Sequence, residues 1–175
     1  TIGGATNGKR NLVSGNSQGG VAIVGSTATG LAIEGNWIGT DITGSLDRGN
    51  ALSGVYIGDA AGFGSVTSSG SPSQSVIRNN VISGNDNAGL WINSGANNTQ
   101  VYGNLIGTNA SGSEAIGNTD YGIHVQSNFN QIGGSTPAHR NVVSGNLHGV
   151  SIGSGGTNNQ VIGNYIGTDV SGLMP

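Results

Sequence analysis

Residues 80–85 read Asn-Val-Ile-Ser-Gly-Asn, and near copies stand at Asn11–Asn16 (Asn-Leu-Val-Ser-Gly-Asn) and Asn141–Asn146 (Asn-Val-Val-Ser-Gly-Asn). A second set runs Ile38–Gly44 (Ile-Gly-Thr-Asp-Ile-Thr-Gly), Ile106–Gly112 (Ile-Gly-Thr-Asn-Ala-Ser-Gly) and Ile166–Gly172 (Ile-Gly-Thr-Asp-Val-Ser-Gly). Both sets share one template, an Asn followed two residues later by Ile or Val, with anchors at Asn11, Asn36, Asn80, Asn104, Asn141 and Asn164. Cutting at the anchors gives units of 25, 44, 24, 37 and 23 residues, short and long in alternation. Self-similarity at a few tens of residues is the signature of a repeat architecture, in which each unit buries its apolar face only against its neighbours.

Every unit carries three apolar pieces. The first follows the anchor (Val81-Ile82, Leu105-Ile106), the second follows a Gly (Val55-Tyr56-Ile57, Leu90-Trp91-Ile92, Ile123-His124-Val125), and the third precedes the next anchor (Ile33, Ile77, Val101, Ile132, Val161). Pieces of about four residues bounded by Gly, Asn and Ser read as short strands separated by turns. Nothing between them can make a crossover helix. Stacking unit on unit satisfies the pattern, because each strand then pairs in parallel with its own copy about 4.8 Å away. The expected fold is therefore all-β: a right-handed single-stranded parallel β-helix, a solenoid of about six coils with three short strands each. It fills residues 1–175 as one domain and reads as a segment of a longer repeat protein, since Thr1 is not an initiator Met.

Like residues should then meet like. Ile23, Ile57, Ile92, Val125 and Ile152 form one inward column, and the anchor asparagines form another whose amides can bond to one another. A second polar column is expected from Asn16, Asp41, Asn85, Asn109, Asn146 and Asp169. Extra length falls in loops at Asp41–Ser53 and Gly58–Gln74, with a smaller counterpart at Asn109–Tyr121. The Gly/Ser-rich Gly58–Gln74 loop reads as a passive, mobile excursion. Arg10 and Arg140 occupy equivalent positions, as do Lys9 and His139, and each Arg is expected to bond corner carbonyls.

Composition narrows the partners. Only 7% of residues are charged, the net charge is −3, and the five basic residues are scattered, so the chain has no electrostatic reason to bind nucleic acid or an anionic membrane. Its 35 glycines, with abundant Asn, Ser and Thr, exclude a helix bundle. Cysteine is absent, which removes disulfides and thiolate metal sites. No apolar run approaches the ~20 residues of a membrane span, so no membrane insertion is expected. Open coil ends expose unpaired strand edges, which invites end-to-end self-association.

The alternation of Ser-Gly-Asn and Ile-Gly-Thr-Asp coils resembles bacterial right-handed β-helix repeat proteins of the pectate-lyase-like superfamily. So do Ile2-Gly3-Gly4 and Ile132-Gly133-Gly134 ahead of Arg10-Asn11 and Arg140-Asn141. The resemblance covers the whole chain. It implies a secreted or cell-surface protein whose role ranges from adhesin stalk to polysaccharide lyase or glycoside hydrolase. Galacturonan hydrolases of this fold carry Asn-Thr-Asp, Asp-Asp, Gly-His-Gly and Arg-Ile-Lys motifs. Here Asn118-Thr119-Asp120 matches the first and Leu147-His148-Gly149 departs from the third. The other two are missing.

Two candidate sites follow. Asp120, His124 and His148 could lie together as a base or metal cluster. They are the catalytic candidates, set against the plainer reading of turn and solvent-facing strand residues. The outward column of the second strand reads Ala22, Tyr56, Trp91, His124, Ser151. Its Tyr56, Trp91 and His124 should face solvent, with Tyr56 and Trp91 forming a flat aromatic strip on which sugar rings stack. The alternative is that a long loop covers them as a satellite core. No cofactor and no dedicated metal site are expected. Asp41 and Asp169 leave room for incidental structural Ca²⁺ only. The first expectation is a structural or binding module that contacts polysaccharide, the second a polysaccharide lyase or hydrolase.

Overall fold

The computed structural model describes residues 1–63 and 70–175. Among the described residues, all strand pairing within the sheets is parallel and sorts into three sheets. The first stacks Ile2–Gly3, Ala32–Glu34, Val76–Arg78, Gln100–Tyr102, Gln131–Gly133 and Gln160–Ile162. The second stacks Leu12–Val13, Trp37–Ile38, Val81–Ile82, Leu105–Ile106, Val142–Val143 and Tyr165–Ile166. The third stacks Val21–Val24, Val55–Gly58, Leu90–Ile92, Tyr121–Val125 and His148–Ile152. The chain visits the sheets in that order once per turn, which makes a three-sided parallel β-helix of six coils.

Register follows residue type. On the third sheet Ile23 pairs with Ile57, Ile57 with Ile92, Ile92 with Val125 and Val125 with Ile152, the expected inward column. Ile33, Ile77, Val101 and Ile132 on the first sheet and Ile38, Ile82, Ile106 and Val143 on the second meet Ile23, Ile57, Ile92 and Val125 in a buried core, while Ile152 in the last coil is 45% exposed. Short strands contribute one or two core side chains each, so burial accumulates only by stacking coils.

The anchor asparagines form an unbroken ladder at the corner between the first two sheets. Nδ2 of Asn11 donates to Oδ1 of Asn36 (2.8 Å), Asn36 to Asn80 (3.1 Å), Asn80 to Asn104 (3.0 Å), Asn104 to Asn141 (2.9 Å) and Asn141 to Asn164 (2.8 Å). The sequence separations of these bonds are 25, 44, 24, 37 and 23 residues, the coil lengths read from the sequence.

The second polar column differs from expectation. It runs Asn16, Asn50, Asn85, Asn118 and Asn146, with amide-to-amide bonds of 2.6 to 2.8 Å. Asp41, Asn109 and Asp169 are not in it. The long coils leave the template after Thr40 and Thr108 and return at Gly49-Asn50 and Gly117-Asn118. The excursions are closed by isolated antiparallel bridges between Thr40 and Asp47 and between Thr108 and Ala115. Asp41 instead accepts from Oγ1 of Thr43 and the backbone amides of Ser45 and Leu46, and Asn109 and Asp169 cap their own loops in the same way.

These loops reach across the short coil between them, since the Ala110 amide donates to the Gly44 carbonyl and the Val170 amide to that of Gly112. Outward-facing Val81 and Val142 on the second sheet are 5% and 4% exposed. The Arg10 guanidinium lies 4.0 Å from the centroid of Trp37, and that of Arg140 lies 3.9 Å from Tyr165, cation–π contacts outside the sequence reading. Arg140 Nε also donates to the Gly163 carbonyl, as expected for a corner. Arg10 departs from that expectation by donating to the Asn7 side chain.

The outer face of the first sheet carries an ion pair between its second and third strands. Arg78 Nη2 meets Glu34 Oε2 at 2.9 Å, and Nη1 donates to the Tyr102 hydroxyl. In the Gly58–Gln74 loop, Ala60–Phe63 form a 3₁₀ turn whose start is held by Asp59. The mobile excursion expected there falls mainly on residues 64–69, outside the described residues.

Candidate functional site

With the first sheet ion-paired and the second overlaid, the third sheet carries the candidate residues. Register places Ala22 opposite Tyr56, Tyr56 opposite Trp91, Trp91 opposite His124 and His124 opposite Ser151, the outward column expected from the sequence. Its inward neighbours on either side are the buried Val/Ile/Leu pairs, and strand alternation does the rest.

The column is neither flat nor uniformly exposed. Tyr56 is only 1% exposed, so the expectation that it faces solvent is corrected. Its hydroxyl donates to the Asp59 carbonyl (2.9 Å) and accepts from Asn93 Nδ2 (2.8 Å). Burial pushes the phenol above its ordinary pKa against the opposing Asn93 bond, and the nearby Asp59 charge adds to the rise. The Tyr56 and Trp91 rings sit 5.9 Å apart at 77°, edge to face, so they support one another rather than offering one platform.

Beyond Tyr56 the aromatic contacts continue. Trp91 meets His124 edge-on with centroids 5.6 Å apart, and Tyr121 stacks on His124 at 4.5 Å and on His148 at 5.1 Å. Trp91, Tyr121 and His124 are half-buried and His148 is exposed. Gln126 Oε1 accepts from the indole Nε1 of Trp91 at 3.2 Å, which fixes the ring's tilt. Tyr121 and Gln126 were not among the sequence-derived candidates. The register that sets His148 opposite Tyr121 was the available signal.

The catalytic trio is only partly assembled. His124 and His148 are brought together through the Tyr121 ring between them. Asp120 contributes its carbonyl to the His148 amide (3.0 Å). Burial lowers the His124 pKa below its ordinary value, opposed by the negative charge of Asp120. Nδ1 of His124 is shielded from solvent and has no hydrogen-bond partner among the described residues. A buried bare acceptor costs less than a buried bare N–H, so the imidazole is assigned as neutral with its proton on Nε2. Asn118, first residue of the Asn-Thr-Asp match, is consumed by the second ladder, where its Nδ2 donates to Asn146.

Among the described residues no three His, Asp or Glu side chains are grouped so as to hold a metal ion. The metal reading of the His/Asp cluster is therefore set aside. Asp41 and Asp169, the positions considered for incidental Ca²⁺, spend their carboxylates on their own loops. Among the described residues no helix is long and apolar enough to cross a membrane. Comparison of the chain with family models, with curated proteins and with solved structures finds no match.

Proposed function

We propose that this chain is an extracellular structural and binding module, a rigid β-helix that contacts polysaccharide through the outer face of its third sheet. The observation that carries the reading is Trp91: half-buried, tilted by Gln126 and backed by Tyr56. An aromatic held rigidly on a scaffold strand loses little freedom when a sugar ring packs on it. His124, Tyr121 and His148 extend the contact along the axis, and Tyr56 acts beneath it as a support. Placement among bacterial surface repeat proteins of the pectate-lyase-like superfamily, as adhesin stalk or spacer, agrees with the coil alternation.

Retention of the protein in gels containing dissolved polysaccharide tests the reading. Retardation that disappears in Trp91→Ala supports it, and migration unchanged by every polysaccharide overturns it.

A second reading, a polysaccharide lyase or glycoside hydrolase using Asp120, His124 and His148, is favoured by the Asp120 charge acting on His124. New reducing ends or unsaturated uronides that vanish in Asp120→Ala would establish it over the first.

A further inference from the structure

The distribution of charge around the third sheet narrows the ligand, taking the binding reading above as its premise. The five cations of the chain are Lys9, Arg10, Arg48, Arg78 and Arg140. Arg10 and Arg140 lie over rings of the second sheet, and Lys9 precedes Arg10 in the same turn. Arg78 is committed to Glu34 on the first sheet. Arg48 follows the loop closed by Thr40 and Asp47 and donates to the Asp47 carbonyl. None stands on a strand of the third sheet.

Carboxylates do flank it. Asp59 follows the strand that carries Tyr56, Asp120 immediately precedes Tyr121, and exposed Asp86 occupies the turn one coil below Asp120. The two imidazoles of His124 and His148 apart, the polar groups within the face are uncharged: the Trp91–Gln126 pair, the Tyr121 hydroxyl, Asn93 and Ser151.

An anionic sugar polymer needs cations, from Arg, Lys or a bound metal, to offset the loss of its hydration. This face has acidic flanks and no fixed positive charge. A neutral sugar polymer asks for apolar ring faces and single hydrogen-bond donors and acceptors, which Trp91, Tyr121, Gln126 and the Nε2–H of His124 supply. Contacts repeat once per coil, about 4.8 Å along the axis, a rise comparable to the length of one pyranose unit.

We infer that the third-sheet face takes a neutral, hydroxyl-rich glycan chain running along the solenoid axis and discriminates against polyuronates.

The test is affinity electrophoresis of the intact chain at pH 7.5 and low salt. Parallel gels contain a neutral β-glucan, xylan, mannan or polygalacturonate. Retardation by at least one neutral polymer, abolished in Trp91→Ala and absent with polygalacturonate, supports the inference. In Asp86→Asn the neutral retardation is retained, because this exposed carboxylate acts only by repelling anions. Salt-sensitive retardation by polygalacturonate that equals or exceeds the neutral one, still dependent on Trp91, overturns the ligand class while leaving the binding face intact. Retardation independent of Trp91 overturns the site. Free migration in all four gels overturns the binding reading together with the inference.

Discussion

Asn80 and Asn104 stand 24 residues apart in sequence and are joined twice, because the backbone N–H and the Nδ2 of Asn80 both donate to Oδ1 of Asn104, each at 3.0 Å. Nδ2 of Asn104 in turn bonds the carbonyls of Ile77 and Tyr102 and passes the ladder to Asn141. One side chain thus satisfies backbone groups on two coils and fixes which coil pairs with which.

Asn104→Ala should destabilise the fold by about 3–5 kcal/mol, since it strands several buried donors and acceptors at about 1–3 kcal/mol each. Equilibrium urea unfolding measures it. A change under about 1 kcal/mol would mean that water replaces the amide and that the ladder is decorative.

Gly107 has φ of +84°, and a methyl group on it would collide with the Ser144 carbonyl on the next coil. Gly107→Ala therefore carries both left-handed strain and a clash, and should cost more than about 2 kcal/mol. The comparison is Gly8→Ala, where a methyl group meets open space. That variant should unfold at the wild-type urea concentration.

Hydrogen bonds from Leu46, Thr43 and Ser45 hold the Asp41 carboxyl down to about 2, against its ordinary 3.8. A depressed acid stabilises its surroundings when ionised. The bonds are thus intact above about pH 3.8 and are lost as the pH falls through about 2. The amide signals of Ser45 and Leu46 should titrate with a midpoint near 2 in NMR spectra. In Asp41→Asn the loop should persist without that titration, because Asn109 makes the equivalent bonds in the fourth coil. A midpoint near 3.8 would contradict the capping geometry.

His124 has its pKa lowered from 6.5, chiefly by burial. The native state therefore binds this proton less readily than the unfolded chain does. The stability it contributes is complete above about pH 6.5 and drains away as the pH falls through the lower folded value. His124→Gln should flatten that part of the melting-temperature profile between pH 7.5 and pH 5, and an unchanged slope would place the pH sensitivity elsewhere.

The fold was legible because the solenoid repeats one residue type per level. The anchor asparagines, the inward column from Ile23 to Ile152 and the pairing of Tyr56, Trp91 and His124 all follow from that single rule. The second ladder was misread for a physical reason. Asp41 and Asn109 match the position of Asn16 when residues are counted forward from Ile-Gly-Thr, yet a hairpin excursion intervenes there. The chain regains register only at Asn50 and Asn118. The Gly-Asn dipeptides at Gly15-Asn16, Gly49-Asn50, Gly84-Asn85, Gly117-Asn118 and Gly145-Asn146 mark the true column.

The site was legible in register but not in exposure. Alternation gives the side of the sheet a residue lies on, and Tyr56 does lie outward. Whether anything covers that side depends on tertiary packing that strand periodicity does not encode. Tyr121 was overlooked for the opposite reason. Strict alternation from Ile123 would turn it inward, yet its ring stacks on outward His124. Contacts such as Arg10 over Trp37 join neighbouring coils and leave no local pattern.

Trp91 itself gives the most direct test of the binding face. The chain has two tryptophans, so Trp37→Phe leaves Trp91 as the sole indole. Its fluorescence should shift to shorter wavelength and saturate as neutral oligosaccharide is added, with no such change on adding oligogalacturonate. A spectrum indifferent to every saccharide, from a variant that unfolds like wild type, would contradict the assignment of this face as a binding surface.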